Sequence, residues 1–415
     1  MTIPPASDRR LAIRVTPDAL RHVRSGHPWV FEDSITSVGP DDHPGAPGDL
    51  AVIFDRDRAF AAIGLYDPDS PIRVRVLHAG RPVRVDAAFW RSAIDRAVAL
   101  RADFTTADAA PELGYRIVNG ENDRLPGLIV DRYADVMVVK LYSAVWFPHL
   151  AAVTDALIDA TGCTGVVLRL ARNLQRGETH GLADGDVLSG QVPDVPILFR
   201  EGDLWFAADV RRGQKTGHFL DQRANRLRVG AMAAGRDVLD VFASTGGFSV
   251  HAAAGGATSV HAVDASAPTL AAAEANMALN IELPAVAACR FSTQVGDAFE
   301  VMASLADSGR SYDLVIVDPP SFAQRQADTD RARSAYARLT QLALPLVRQG
   351  GVLVQASCSS RVTSDQFIAT VVSAADRAGY TLSEIARSGH DVDHPVGFPE
   401  GAYLKAGFWS VERRR

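Results

Sequence analysis

Only three cysteines occur in 415 residues, Cys163, Cys289 and Cys358. They are too few and too scattered for a disulfide framework or a zinc cage. No apolar run approaches the ~20 residues that a membrane span needs. The opening MTIPPASDRR also lacks the apolar core of a leader peptide. These gaps lead us to expect a cytoplasmic chain with reduced thiols, no membrane partner and no metal. Lysine is nearly missing as well: among 43 basic residues it stands only at 140, 215 and 405. The net charge of −6 argues mildly against nucleic acid as a partner of the whole surface. One stretch runs the other way. From Ala208 to Arg236 seven Arg or Lys face two Asp, and the chain closes on Arg413-Arg414-Arg415. Such local excess can hold phosphates, although a solvated helix face has the same composition.

What is present is an ordinary globular composition, 47% hydrophobic and 22% charged, at a length that predicts two or three domains. Residues 1–80 read as short strands at Trp29–Phe31, Leu50–Phe54, Ala61–Leu65 and Ile72–Leu77, parted by turn formers such as Gly39-Pro40-Asp41. This predicts a small all-β unit. Residues 81–203 open on helical spacing from Asp86 to Thr106, then give strands, a helix near Trp146–Ala160 and a strand at Val166–Leu170. That order predicts an α+β domain. Within it, Asn119 to Gly127 is rich in acids and turn formers, and hairpin turns use such residues far more often than metal loops do. Residues 204–415 alternate strand and helix, the pattern of a doubly wound α/β sheet, with a closing strand pair at Thr381–Ile385 and Gly407–Val411.

The last domain turns on RDVLDVFASTGGFSVHAAAGGATSVHAVD, Arg236 to Asp264. An apolar run holding Asp240 breaks into Ser244-Thr245-Gly246-Gly247, enters a helix at Phe248, and is followed by a second run ending on Asp264. Strand, glycine turn, helix, strand and acid form a nucleotide-binding βαβ unit: the turn faces the ligand and the acid takes ribose hydroxyls. The glycines do not spell G-x-G-x-x-G and no phosphate-gripping lysine follows. An acid inside the first strand suits an ammonium-bearing ligand better than a pyrophosphate, which favours S-adenosylmethionine (SAM) over NAD. Further strand ends carry Asp297, then Asp318-Pro319-Pro320-Ser321-Phe322, then Ser357-Cys358-Ser359. Together, at one edge of a sheet, these ends point to a class I methyltransferase.

Two resemblances extend this reading. His27-Pro28-Trp29-Val30-Phe31, Pro47-Gly48-Asp49-Leu50, Gly64-Leu65-Tyr66 and Ile72 to Leu77 resemble the PUA domain, an RNA-binding barrel. The segments Lys215 to Arg226, DVFASTGGFS, VDPPSF and SCSSRVTSDQF, with Leu125 to Tyr133, Asp393-His394-Pro395 and Pro399 to Lys405, resemble the RlmI-type cytosine-C5 methyltransferases of large-subunit ribosomal RNA. The resemblance implies Asp240, Ser244, Thr245, Gly246 and Gly247 at the methionine end of SAM, Asp264 on the ribose and Asp297 near the adenine amino group. It also implies Asp318 facing the target base, Cys358 as nucleophile and ribosomal RNA as partner. Ser321 stands where many other RNA cytosine-C5 methyltransferases carry a second cysteine, so the base that takes the carbon 5 proton is unassigned. Two other readings stay open: methylation of a purine nitrogen, and a non-catalytic ribosome-assembly protein. The oligomeric state is open too, a homodimer included.

Overall fold

The structure, a computed structural model, describes residues 5–7, 9–39, 44–104, 113–323 and 326–414. Of the sequence readings, those at residues 1–4 and 8, Pro40, Asp41, Thr105, Thr106 and Arg415 lie outside them. Two compact units form. The first holds Met1–Arg200, Ala208–His218 and Val392–Phe398; the second holds Glu201–Ala207, Phe219–Asp391 and Pro399–Arg415.

The first unit carries two sheets. Strands β1 (Arg10–Val15), β2 (Trp29–Phe31), β3 (Ile35–Gly39), β4 (Leu50–Phe54), β5 (Phe60–Tyr66) and β6 (Ile72–Ala79) assemble in the order β2-β6-β5-β4-β1-β3. The stretch is not purely β. Helix α1 (Pro17–Arg24) starts on Thr16, whose hydroxyl accepts from the Ala19 amide, with Pro17 at its first position. It buries only Ala19 and Val23, too short an apolar stripe to stand out in the sequence. After α2 (Ala87–Ala99) comes the second sheet: β7 (Gly114–Asn119), β8 (Leu128–Tyr133), β9 (Val136–Leu141), β10 (Gly165–Leu170) and β11 (Val187–Gly190), with α3 (Leu150–Thr161) crossing between the parallel pair β9 and β10. One apolar core runs through both sheets, from Leu50, Leu65 and Leu77 to Trp90, Leu128 and Trp146. The acids of the 119–127 turn are structural. Asp123 takes both arms of the fully buried Arg101 at 2.7 Å each.

The 392–398 segment follows most of the second unit's strands in the chain yet belongs to the first unit, where Arg101 donates to the Asp393 carbonyl and the Arg116 amide to the Asp393 carboxylate. Residues 208–218 likewise sit in the first unit. There the Thr216 hydroxyl donates to Asp131, which also holds Arg116.

A hairpin, β12 (Ile197–Glu201) and β13 (Leu204–Ala208), carries the chain towards α4 (Arg223–Met232). Then β14 (Asp237–Val241), α5 (Gly247–Ala254), β15 (Ser259–Asp264), α6 (Ala267–Ala278), α7 (Pro284–Ala288), β16 (Arg290–Val295), α8 (Ala298–Asp307), β17 (Tyr312–Val317), α9 (Thr329–Ala343), β18 (Val347–Ser357), α10 (Ser364–Arg377), β19 (Tyr380–Ser388) and β20 (Lys405–Arg413) build a seven-stranded sheet ordered β16-β15-β14-β17-β18-β20-β19. Six strands run in one direction; β20, between β18 and β19, lies antiparallel to both. Apolar cores cover both faces, which is why β14, β17 and β18 read as nearly unbroken apolar runs.

Candidate active site

The strand order reverses between β14 and β17, and ligands of such sheets lie at this switch point beyond the carboxyl ends. The turn after β14 is tightly wound. Phe242, Ser244 and Gly246 all take positive φ, at 65°, 50° and 77°. Such a cluster of sparsely populated conformations marks a built site. It also ends the strand at Val241, one residue before the apolar run stops. A Cβ at Gly246 would lie 2.8 Å from the Ala273 Cβ, so α6 packs directly on the turn. Asn276, fully buried on α6, donates to the Thr245 carbonyl at 2.9 Å and accepts from the Ala207 amide at 2.8 Å.

Asp240 is fully buried in β14. Ser249 donates to its Oδ2 at 2.7 Å, while Oδ1 has no hydrogen-bond partner. Burial pushes its carboxyl up to about 6, against the Ser249 hydrogen bonds that pull it down, and the charge of Asp264 adds to the rise. A buried carboxylate oxygen left open is what a ligand ammonium requires. Asp264, half-buried at the end of β15, accepts from the Ser244 amide on one oxygen and the Ser266 amide on the other, each at 3.0 Å. Each oxygen keeps a lone pair for a diol. Asp297 is exposed and caps α8, its Oδ1 accepting from the Phe299 and Glu300 amides.

On the other side of the switch point stand Asp318 and Cys358, both half-buried. The Gln222 amide donates to Asp318 Oδ1 at 2.9 Å, and Asn225 donates in turn to the Gln222 oxygen at 2.5 Å. Cys358 Sγ lies 3.9 Å from the Pro319 carbonyl, which places the thiol against the Asp-Pro-Pro loop. Ser359 ties the two loops together. Its hydroxyl accepts from the Phe322 and Ala323 amides and meets the Ser321 and Tyr336 hydroxyls at 3.2 and 2.7 Å.

Sequence reasoning did not single out Ser249, Asn276 or Lys405 for the site, nor Gln222 as the partner of Asp318. Their partners come from other elements, and no spacing rule links them. Several cations of the basic stretch meet acids within the fold. Arg226 is buried in an ion pair with Glu201, Arg223 pairs with Asp391, and Arg211 and Arg212 share Asp194. Cys163 is buried beside β10, and burial raises its thiol, as befits a structural residue.

A sheet with six strands in one direction, a reversed last strand and a strained glycine turn at the switch point defines a class I methyltransferase. A profile of the S-adenosylmethionine-dependent methyltransferase family matches residues 123–398, and one of the PUA-like domain matches residues 13–79. The chain is 46% identical to a ribosomal RNA large subunit methyltransferase of Deinococcus radiodurans, over 99% of this chain and 100% of the relative. It is 33% identical to ribosomal RNA large subunit methyltransferase I of Shewanella denitrificans, over 95% and 98%. Among solved structures, a SAM-dependent methyltransferase from Streptococcus mutans shares the fold with a TM-score of 0.80 at 20% identity, covering 96% of this chain and 99% of that one. A methyltransferase complexed with SAH matches with the same TM-score and identity. The chain belongs to the RlmI-type family of SAM-dependent large-subunit ribosomal RNA methyltransferases, and SAM is its cofactor.

Proposed function

We propose that this enzyme forms 5-methylcytosine in large-subunit ribosomal RNA, with Cys358 as the nucleophile. The observation that carries the reading is the approach of Cys358 Sγ to the Pro319 carbonyl, beside Asp318, at the switch point. The open Oδ1 of Asp240 and the diol-ready Asp264 fit the ammonium and ribose of SAM, with Ser244 to Gly247 lining its methionine end and Asp297 near its adenine. SAM, when bound, supplies an electrophilic methyl group. Carbon 5 of cytosine is too weak a nucleophile to accept it unaided. The Cys358 thiolate adds to carbon 6, forming an S–C bond and moving the carbon 5–carbon 6 electron pair onto carbon 5, which then takes the methyl. Asp318, held by Gln222, stabilises the adduct at the ring nitrogen edge. Loss of the carbon 5 proton to a base returns the pair to the ring and expels the thiolate. Covalent catalysis thus divides one hard step into easier ones.

Along the chain, 1–80 as a PUA-like RNA-binding domain, 81–203 as an α+β domain and 204–415 as the catalytic domain remain our proposed division. Cys358→Ala should abolish methyl transfer while leaving SAM affinity unchanged. RNA carrying 5-fluorocytosine at the target should form a stable adduct with the wild type and none with the variant. Full methylation by Cys358→Ala would overturn the cytosine reading in favour of a nitrogen target.

A further inference from the structure

Lys405 is one of only three lysines in a chain that otherwise meets every need for a cation with arginine. It opens β20 opposite Ser357 of β18, so its side chain is anchored one residue from Cys358 in the paired strand. The residue is 3% exposed, and its ammonium donates to the carbonyls of Ser359 and Val362, which bracket the turn that follows Cys358. These bonds use two of its three donors. Among the described residues no carboxylate pairs with it. A buried ammonium without a counter-charge is costly, and such groups persist when a charge nearby repays the burial. Among the described residues, the charge of Cys358 acts on this ammonium and favours it.

We propose that Lys405 is a positioning residue for Cys358: it clamps the loop that aims the thiol and supplies the positive charge that keeps the sulfur ionised. The proposal rests on Cys358 being the nucleophile. Tyr336 on α9 lies in the field of Cys358 as well, and a negative charge on either disfavours one on the other. Burial draws the ammonium down to about 8 and the Cys358 charge draws it back up, so each group supports the ionised form of the other. Arginine would be a poor substitute. A planar five-donor fork does not fit two carbonyls that a compact ammonium satisfies.

The test is peptide-resolved alkylation of Cys358 by iodoacetamide across pH 5.5–9.5, which reads the thiolate without requiring RNA or methyl transfer. In the wild type the thiol should titrate below the ~8.5 of a free cysteine. Lys405→Met should slow alkylation at pH 7 about tenfold, and Lys405→Arg should restore part of the rate. SAM affinity, measured alongside, should be unchanged in both variants. Wild-type titration at or above 8.5 would overturn the proposal, and that arm needs no variant to fold. Equal rates in wild type and folded Lys405→Met would also overturn it. Retained methyl transfer by Cys358→Ala would sink the nucleophile reading instead, a separate outcome from the alkylation profile.

Discussion

Replacing Asp240 by Asn removes a charge and little else, since the two side chains share a shape and Ser249 can bond either. Without SAM this carboxyl is pushed from an ordinary 3.8 up to about 6. A rise of that size corresponds to about 3 kcal/mol, at roughly 1.4 kcal/mol for each tenfold change in proton affinity. The native state keeps the proton to about pH 6, whereas the unfolded chain releases it near 3.8. Between those values the native state binds more protons, so stability falls as pH rises through the window, and the whole cost is in place above it. Asp240→Asn should therefore melt higher than the wild type at pH 7 without SAM, by up to about 3 kcal/mol, and match it near pH 3.5. Binding should move the other way. The ammonium of SAM needs the carboxylate, so wild-type affinity should rise about tenfold from pH 5 to 7 as the group ionises. The variant should lose a charged hydrogen bond, about 1.5–3 kcal/mol, and much of that pH dependence. Calorimetric titration with SAM at pH 5, 6 and 7, beside melts of both proteins, measures each effect. Equal affinity and equal pH slope in the variant would refute the assignment of Oδ1 to the ligand.

The remaining expectations follow from the same geometry. Asp264→Ala should weaken SAM by about 1–3 kcal/mol, because it strands the Ser244 and Ser266 amides as well as the ribose hydroxyls; unchanged calorimetric affinity would sink its role. Arg226→Met should destabilise folding by about 3–5 kcal/mol in denaturant titrations, through loss of its buried ion pair with Glu201, while RNA affinity of the folded variant stays as it was. RNA affinity itself should fall steeply between low and physiological salt, since phosphate contacts release counterions. Lys215 is exposed, and its removal should flatten that slope.

The sequence by itself determined most of what is local. Apolar runs placed β2, β4, β6 and β10 to within a few residues. The order of glycine turn, Asp264, Asp318 and Cys358 along the chain was enough to name the class and the family. These features are legible because backbone conformation and burial follow period and residue type over a few positions. The tertiary structure decided the rest. Whether the cations of residues 208–236 face solvent or meet Glu201 and Asp391 depends on which elements pack there, not on composition. The 392–398 segment lies near the end of the chain yet joins the first unit. Burial pushed the Asp240 carboxyl up to about 6, and Lys405 became the neighbour of Cys358, because strand order put β14 between β15 and β17 and β20 beside β18. Such pairings join residues far apart in the chain, and only the folded sheet brings them within reach.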